Sequence, residues 1–246
     1  MADSPGLGEQ ALNKAAEIGL SSQLDEVESL DVSIKTDPFK IVQGQVDSVT
    51  IEGEGMVMQK DLRMEEFDMQ MTNVAINPLS VAFGKIELTR PTEANAQVVL
   101  TETDINRAFN SEYVRSQLQS QKINVNGKLT TIEPQHVEFR LPGDGKVALN
   151  ATMKIVETGE NQQVAFSAVP RISANGKTVT LENVEYGESG EISPDLTKAL
   201  IDQTSEILNL SNFDLEGISL QVNQLKVEVG KLTLQAEAYV EKIPSA

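Results

Sequence analysis

An alternation of apolar and polar residues with a period of two runs through most of the chain and limits what it can fold into. A strand with one buried face has this repeat, whereas a helix repeats about every 3.6 residues. The clearest alternating segments are residues 30–34, 94–100, 137–141, 147–155, 164–168 and 232–240. Some are separated by dipeptides typical of tight hairpins, namely Asn126-Gly127, Asp144-Gly145 and Asn175-Gly176. The sequence therefore predicts many antiparallel strands joined by short turns.

Three segments have helical spacing instead. An apolar stripe over residues 7–18 predicts an N-terminal amphipathic helix. Thr101 and Asp104 resemble a capping box, and the stripe after them predicts a helix that runs to about Gln121. Ser193-Pro194 is a typical start for a third helix. Because strands and helices do not alternate one by one, the pattern favours an α+β fold with a mostly antiparallel sheet over a parallel one.

Several features predict that this long sheet is curved and wraps around the helices. Gly53 and Gly55 keep the strand parity while omitting side chains, which is typical of a bend or a close backbone approach. The apolar parity then changes at Glu65-Glu66, which favours a β-bulge in that strand. Since no low-complexity linker divides the chain, we expect one domain over residues 1–246, with residues 1–25 as an appended helix.

The side chains needed for most chemistry are missing. The chain has no cysteine and a single histidine, His136, which we expect at the surface, so neither a transition-metal site nor a catalytic triad is indicated. Acidic clusters occur at residues 61–68 and 182–191, and we interpret them as solvated faces rather than as a hydrolase pair. A formal net charge of −17 repels phosphate backbones, so we expect no nucleic acid partner. We predict a protein that is not an enzyme and has no cofactor and no metal.

The sequence shows neither a secretory signal nor a membrane-spanning helix. Residues 1–25 have neither a basic segment nor a continuous apolar run, so they do not resemble a secretory signal. No window approaches the length of apolar residues that a membrane-spanning helix needs. These observations lead us to expect a cytoplasmic protein, with a peripheral location at a membrane left open.

Residues 41–109 resemble the bacterial LmeA-like phospholipid-binding family. The resemblance rests on Gly44, on Gly53-x-Gly55, on the run 62–76 and on the phrase AQVVLTExDIN at 96–106; the phrase at 213–218 also fits. The resemblance implies a tubular lipid-binding (TULIP-like) fold, in which a long curved antiparallel sheet wraps round a helix and acyl chains lie between them. It also implies phospholipid binding and a role in the lipid homeostasis of an envelope or photosynthetic membrane.

The leading hypothesis is therefore a lipid carrier that buries acyl chains in an apolar groove or tunnel. From periodicity, the expected ligand-binding residues are Met64, Phe67, Met69, Met71, Phe83, Val98, Ile105, Phe109, Leu200 and Ile207. The pattern by itself favours a fully packed core without a cavity, and only the resemblance favours a groove. The alternative is an acidic scaffold or assembly factor that binds a protein partner of unknown identity. A phospholipid or other acyl-chain molecule is the expected ligand, and transient membrane contact is left open.

Overall fold

The computed structural model describes residues 7–81, 87–118, 121–187, 193–207 and 217–241. The helices in these ranges are α1 (Leu7–Ser21), α2 (Pro38–Val42), α3 (Pro78–Val81), α4 (Glu102–Phe109), α5 (Glu112–Leu118) and α6 (Pro194–Ile207). The strands are β1 (Ser29–Lys35), β2 (Gln45–Met58), β3 (Leu62–Ala75), β4 (Thr92–Thr101), β5 (Gln121–Val125), β6 (Lys128–Gly143), β7 (Lys146–Ile155), β8 (Asn161–Ile172), β9 (Val179–Tyr186), β10 (Ile218–Glu228) and β11 (Lys231–Val240).

The strands divide between two antiparallel sheets. One has six strands in the order β1-β2-β3-β4-β11-β10, and the other is a meander of five strands from β5 to β9. The predicted antiparallel α+β class is confirmed, but the expectation of one long sheet is wrong. α4 and α5 separate β4 from β5, and the backbone hydrogen bonds between the sheets in the described residues are isolated ones rather than a ladder: Val222 N–H donates to Gly176 O (2.9 Å), and Gly230 N–H donates to Leu141 O (2.9 Å).

The hairpin dipeptides lie where the alternation predicts turns. Asn126-Gly127 joins β5 to β6 and Asp144-Gly145 joins β6 to β7. All four of these residues have positive φ, between 51° and 83°, which is the conformation of the turn that suits two twisted strands. Asn175-Gly176 lies between β8 and β9. Local turn chemistry thus fixes the connections of the five-stranded sheet.

The capping box is confirmed, but the helix that follows it is shorter than predicted. Thr101 Oγ1 accepts from Asp104 N–H (3.1 Å), and Asp104 Oδ2 accepts from Thr101 N–H (3.0 Å). The predicted helix to about Gln121 is instead divided into α4 and α5 at Asn110-Ser111. At this break the Asn110 side chain binds the Val137 backbone of β6 through both its amide nitrogen (2.8 Å) and its oxygen (3.3 Å).

This contact belongs to a row of bonds along the outer edge of β6, which we call the α4 edge ladder. Glu102 accepts from Leu141 N–H (2.7 Å), and the Asn106 amide both accepts from Phe139 N–H (2.7 Å) and donates to Phe139 O (2.8 Å). The spacing explains the match: four helical residues rise about 6 Å, while two strand residues rise about 6.6 Å. Glu102, Asn106 and Asn110 therefore meet alternate residues of the strand.

The same arrangement recurs at the outer edge of β1. Asn13 on α1 accepts from Ile34 N–H (2.9 Å), and Glu9 accepts from Thr36 N–H (3.3 Å). In both helices the sequence reads Glu, three residues, Asn, then a basic residue and Ala: Glu9-Gln-Ala-Leu-Asn13-Lys-Ala in α1 and Glu102-Thr-Asp-Ile-Asn106-Arg-Ala in α4. The chain thus uses one repeated helical phrase to occupy the outer edge of a strand in each sheet.

Three buried clusters hold these layers together. One lies between the five-stranded sheet and α6, where Leu196 and Val164 are each 1% exposed. A second lies at the end of the six-stranded sheet next to α2 and α3, around Val46 and Val74. The third surrounds Ile105 of α4 and joins the two sheets. The six-stranded sheet is therefore packed at both ends of its apolar face.

Candidate functional site

One face of the six-stranded sheet is apolar across all six strands. The register aligns three rows of side chains, each listed from β1 to β10: Ile34-Val49-Met71-Ala94-Ala238-Leu220, Val32-Ile51-Met69-Ala96-Ala236-Val222 and Leu30-Gly53-Phe67-Val98-Leu234-Leu225. The alternate residues face the other way and most of them are polar; for example, Gln235 on β11 donates to Gln97 on the adjacent strand β4 (2.9 Å). The sheet therefore presents an apolar surface six strands wide on one side.

Four alanines form the floor of a shallow channel in this face, which we call the alanine trough. Ala94 and Ala96 of β4 lie directly opposite Ala238 and Ala236 of β11. Larger side chains flank the floor on both sides: Phe67, Met69 and Met71 on β3, and Leu220, Val222 and Leu225 on β10. Because the neighbouring strands carry the bulk, the two central strands leave a depression about two strands wide, or roughly 10 Å.

The two ends of the trough are covered, whereas its middle is partly exposed to solvent. Ala94 and Ala238 are buried in the cluster next to α2 and α3, and Leu100 and Leu232 pack against the cluster around Ile105. Between them five residues are only half-buried and belong to none of the three clusters of the described residues: Phe67, Ala96, Val98, Leu234 and Ala236. From Ala94 to Leu100 the trough runs about 20 Å along β4.

Two glycines shape the β2 side of this face. A Cβ on Gly53 would lie 2.3 Å from Met56 Sδ, so the missing side chain makes room for the Met56 thioether. Gly55 has φ +60°, and a Cβ there would lie 2.4 Å from the Glu28 side chain. The left-handed backbone at Gly55 turns Met56 onto the same side as Gly53. The close neighbour at each glycine is thus a side chain, whereas the sequence predicted a bend or a close approach of the backbone.

The β-bulge predicted at Glu65-Glu66 is wrong. Glu54 pairs with Glu66 and Met56 pairs with Met64, so the register of β2 with β3 continues unbroken past this point. The change of apolar parity in the sequence is real, but the positive φ of Gly55 on the neighbouring strand accommodates it without an inserted residue.

The ten residues predicted to bind a ligand lie in several places. Phe67, Met69, Met71 and Val98 line the trough. Ile105 is buried at the Leu100 end of the trough, next to Phe109. The Phe109 ring stacks on Phe139, with ring centroids 6.1 Å apart. Met64 is on β3 and pairs with Met56, past the position of Gly55 on β2. Leu200 packs against the five-stranded sheet. Ile207 ends α6 with its side chain outside what the structure describes, and Phe83 lies outside the described residues.

The sequence reading missed the alanines because it chose residues for their bulk. The available signal was that small residues occupy alternate positions in both strands, at 94 and 96 and at 236 and 238. Only the pairing of β4 with β11 turns these two short patterns into one surface.

Two cavities among the described residues lie elsewhere. One of about 410 Å³ lies between α1 and β1, lined by residues that include Ile18, Val27 and Leu30. The other, of about 140 Å³, lies between the five-stranded sheet and α6, next to Ile155 and Leu196. None of the ten predicted residues lines either cavity. An enclosed tunnel at the predicted residues is thus not among these cavities, and the trough is a groove on a sheet face.

Three carboxylates of the first acidic cluster lie next to basic residues. Asp61 pairs with Arg107 (3.1 Å), and Glu66 lies 3.6 Å from Lys231. Arg63 binds Glu65 (2.6 Å) and Asp104 (3.0 Å) and is mostly buried. Hydrogen bonds from Glu65, Glu28 and Asp104 raise the pKa of Arg63 above its ordinary value. These carboxylates therefore serve as partners of basic side chains and do not form a pair facing a substrate.

The second acidic cluster and the histidine lie at the surface. Glu182 lies 3.5 Å from Arg171, and Glu185 lies 2.9 Å from Lys146, which together with Ser167 lowers the pKa of that carboxyl. Glu188 and Glu191 lie outside the described residues. His136 on β6 is exposed, as expected. In the part of the chain that the structure describes, no group of three or more His, Cys, Asp or Glu side chains is placed to hold a metal ion.

A profile of LmeA-like phospholipid-binding proteins matches residues 5–237 of the 246. The chain belongs to the LmeA-like phospholipid-binding family. The match spans both sheets and includes the phrase that carries the capping box and the α4 edge ladder. Comparison with curated proteins and with solved structures gave no significant match. Within the described residues, no helix combines the length and the apolar character needed to cross a membrane.

Proposed function

We propose that this LmeA-like protein is a non-catalytic phospholipid carrier whose acyl-chain site is the alanine trough. The observation that carries the proposal is the half-buried middle of the trough. Phe67, Ala96 and Leu234 share an apolar face with fully buried neighbours, yet they belong to no buried cluster of the described residues. An apolar channel about 20 Å long, with packed ends and a half-buried middle, has the shape of an alkyl chain.

The energy of such binding is sufficient without a charged clamp. Burying a methylene group contributes about 0.8 kcal/mol, so ten methylenes contribute roughly 8 kcal/mol before the cost of ordering the chain. The side chains along the trough suit a flexible ligand, since methionine adapts its shape more readily than branched residues do. Met69 and Met71 lie on one wall, next to the alanine floor.

The residues predicted from the sequence divide within this proposal. Phe67, Met69, Met71 and Val98 would contact the acyl chain, and Ile105 with Phe109 would close one end of its path. Met64, Leu200 and Ile207 would contribute only at a distance from the trough, and no role is assigned to Phe83. The TULIP-like assignment of the fold, a cytoplasmic location and a part in membrane lipid homeostasis remain predictions.

Native mass spectrometry tests the proposal. The purified full chain is incubated with phosphatidylcholine vesicles, separated from them and measured under non-denaturing conditions. We expect a species heavier than the free protein by one phospholipid, and we expect its share to fall when the trough is filled by Ala96→Leu. Only free protein after incubation, or equal loading of wild type and Ala96→Leu, would contradict the proposal. Free protein together with one stoichiometric protein partner from a pull-down would favour the scaffold alternative.

A further inference from the structure

Two one-turn helices at one end of the six-stranded sheet present bulky apolar side chains to solvent. α2 follows β1 and α3 follows β3, and Ile76 N–H donates to Gly44 O (2.8 Å), which ties the two connections together. Phe39 and Val42 on α2 are 81% and 77% exposed, and Leu79 on α3 is 73% exposed. We call this surface of Phe39, Val42 and Leu79 the helical tip.

The two helices are built alike. Asp37-Pro38-Phe39 and Asn77-Pro78-Leu79 share the order of an Asx residue, proline and a large apolar residue. In each, the Asx side chain accepts a hydrogen bond from the backbone N–H of the apolar residue, at 2.8 Å for Phe39 and 3.1 Å for Leu79. Proline at the first helical position fixes φ, and the cap fixes the turn. Both apolar side chains are thus held outward by defined local structure.

The charge of this end differs from that of the rest of the chain. The described residues at this end, 35–47, 73–81, 87–91 and 241, hold three basic side chains (Lys35, Lys40 and Arg90) and four acidic ones (Asp37, Asp47, Glu87 and Glu241). The whole chain carries a formal net charge of −17. An acidic protein is repelled by an anionic surface, so a nearly neutral end with exposed apolar groups is the part that can approach a bilayer closely, and an uncharged bilayer is approached best.

The helical tip lies next to one of the packed ends of the trough. The cluster directly behind α2 and α3 contains Val46, Val74 and Ala94, and Ala94 is the first residue of the trough floor. A bilayer in contact with the tip would therefore lie at one end of the channel proposed to hold the acyl chain. We propose that the helical tip inserts Phe39, Val42 and Leu79 into the interface of a zwitterionic bilayer. This inference deepens the proposed carrier function and rests on it for the route of the lipid.

Vesicle flotation tests the proposal. The wild type, Phe39→Ser/Leu79→Ser and the control Leu129→Ser/Val229→Ser are compared on phosphatidylcholine vesicles at physiological ionic strength. Leu129 and Val229 are 66% and 78% exposed, and Val229 lies in the β10–β11 turn at the opposite end of the same sheet. Because burial of two such side chains is lost, we expect the partition coefficient of the tip variant to fall at least about tenfold, with the control unchanged.

The chain has no tryptophan, so a single one reports on its own surroundings. Phe39→Trp should shift its emission to the blue with vesicles and be quenched by brominated lipid, while Val229→Trp should do neither. The proposal is overturned if the wild type does not float, if it floats only with anionic vesicles, or if the tip and control variants lose equal amounts.

Loading measured by native mass spectrometry with detergent-dispersed phospholipid separates this inference from the carrier function. A tip variant that fails to float but still takes up lipid supports the tip as a docking surface. A wild type that floats but never carries lipid leaves the tip in place and refutes the trough.

Discussion

Replacing Ala96 by leucine should block the trough without disturbing the fold. Ala96 lies at the centre of the floor, directly opposite Met69 on one side and Ala236 on the other. Side chains that face each other on neighbouring strands have Cβ atoms about 5 Å apart, so an isobutyl group at position 96 would extend over Ala236. The channel would then be filled at its half-buried middle.

The size of the effect follows from the atoms added. Leucine has three more carbons than alanine, and they occupy space that an alkyl chain would otherwise fill. At about 0.8 kcal/mol for each methylene displaced, binding should weaken by about 2.4 kcal/mol, which corresponds to roughly a fiftyfold higher Kd. The unfolding temperature should change little, because the side chain enters space that the described residues leave partly exposed.

The assay is a titration of the full chain with a phospholipid that carries a fluorescent acyl chain, alongside thermal unfolding by circular dichroism. Ala148→Leu is the matched control, because Ala148 lies between Arg140 and Ser167 in the five-stranded sheet, away from the trough. A Kd for Ala96→Leu within about threefold of the control would refute the trough as the acyl-chain site. A large fall in unfolding temperature would refute the claim that its middle is open.

Three further predictions concern the scaffold of the site, and urea denaturation measures each. Asn106→Ala should lower the free energy of unfolding by roughly 2–4 kcal/mol, because it leaves the N–H and C=O of Phe139 without their hydrogen-bond partner. Asn13→Ala should lower it by about 1 kcal/mol, and replacing the exposed Asn150 by alanine should change it very little. Equal losses for all three variants would contradict the edge ladder. Gly55→Ala should lower the free energy of unfolding more than Gly145→Ala does, since both glycines have positive φ but only the Cβ at position 55 meets another side chain. A difference below about 0.5 kcal/mol between the two variants would show that the Glu28 side chain moves freely aside. Arg63→Met should lower the free energy of unfolding by roughly 3 kcal/mol, because its partner Asp104 is only 4% exposed and would be left as an unpaired charge. Arg171→Met removes an exposed ion pair and should lower it by less than about 1 kcal/mol. Similar losses for the two variants would mean that the buried pair does not stabilise the fold more than the exposed one.

The parts of this fold that could be predicted are those determined by neighbouring residues. Alternation predicted the antiparallel strands, and Asn126-Gly127 and Asp144-Gly145 predicted their turns. Thr101 with Asp104 predicted the start of α4, and Ser193-Pro194 the start of α6. In each case a periodic pattern or a side chain within three or four residues of its partner decides the outcome.

The parts that could not be predicted depend on partners far apart in the chain. The break between α4 and α5 lies where Asn110 binds Val137, and no local propensity contains that contact. Asp37-Pro38 and Asn77-Pro78 interrupt the strand pattern in the sequence, and in the structure each begins a one-turn helix. The trough needs Ala96 to meet Ala236, and the two strands that supply them are separated by most of the second half of the sequence. A list of large apolar residues therefore found one wall of the channel and missed its floor.

The edge ladders have a consequence for how copies of this protein behave at high concentration. A strand with free amide and carbonyl groups along its outer edge invites a strand from another molecule, and growth by that route leads to fibrils. On β6 those groups are consumed at every second residue by Glu102, Asn106 and Asn110, and on β1 the helix α1 uses Glu9 and Asn13 in the same way. The two ladders thus remove two possible sites for cross-β pairing, the outer edge of β1 and the part of β6 that extends past β5.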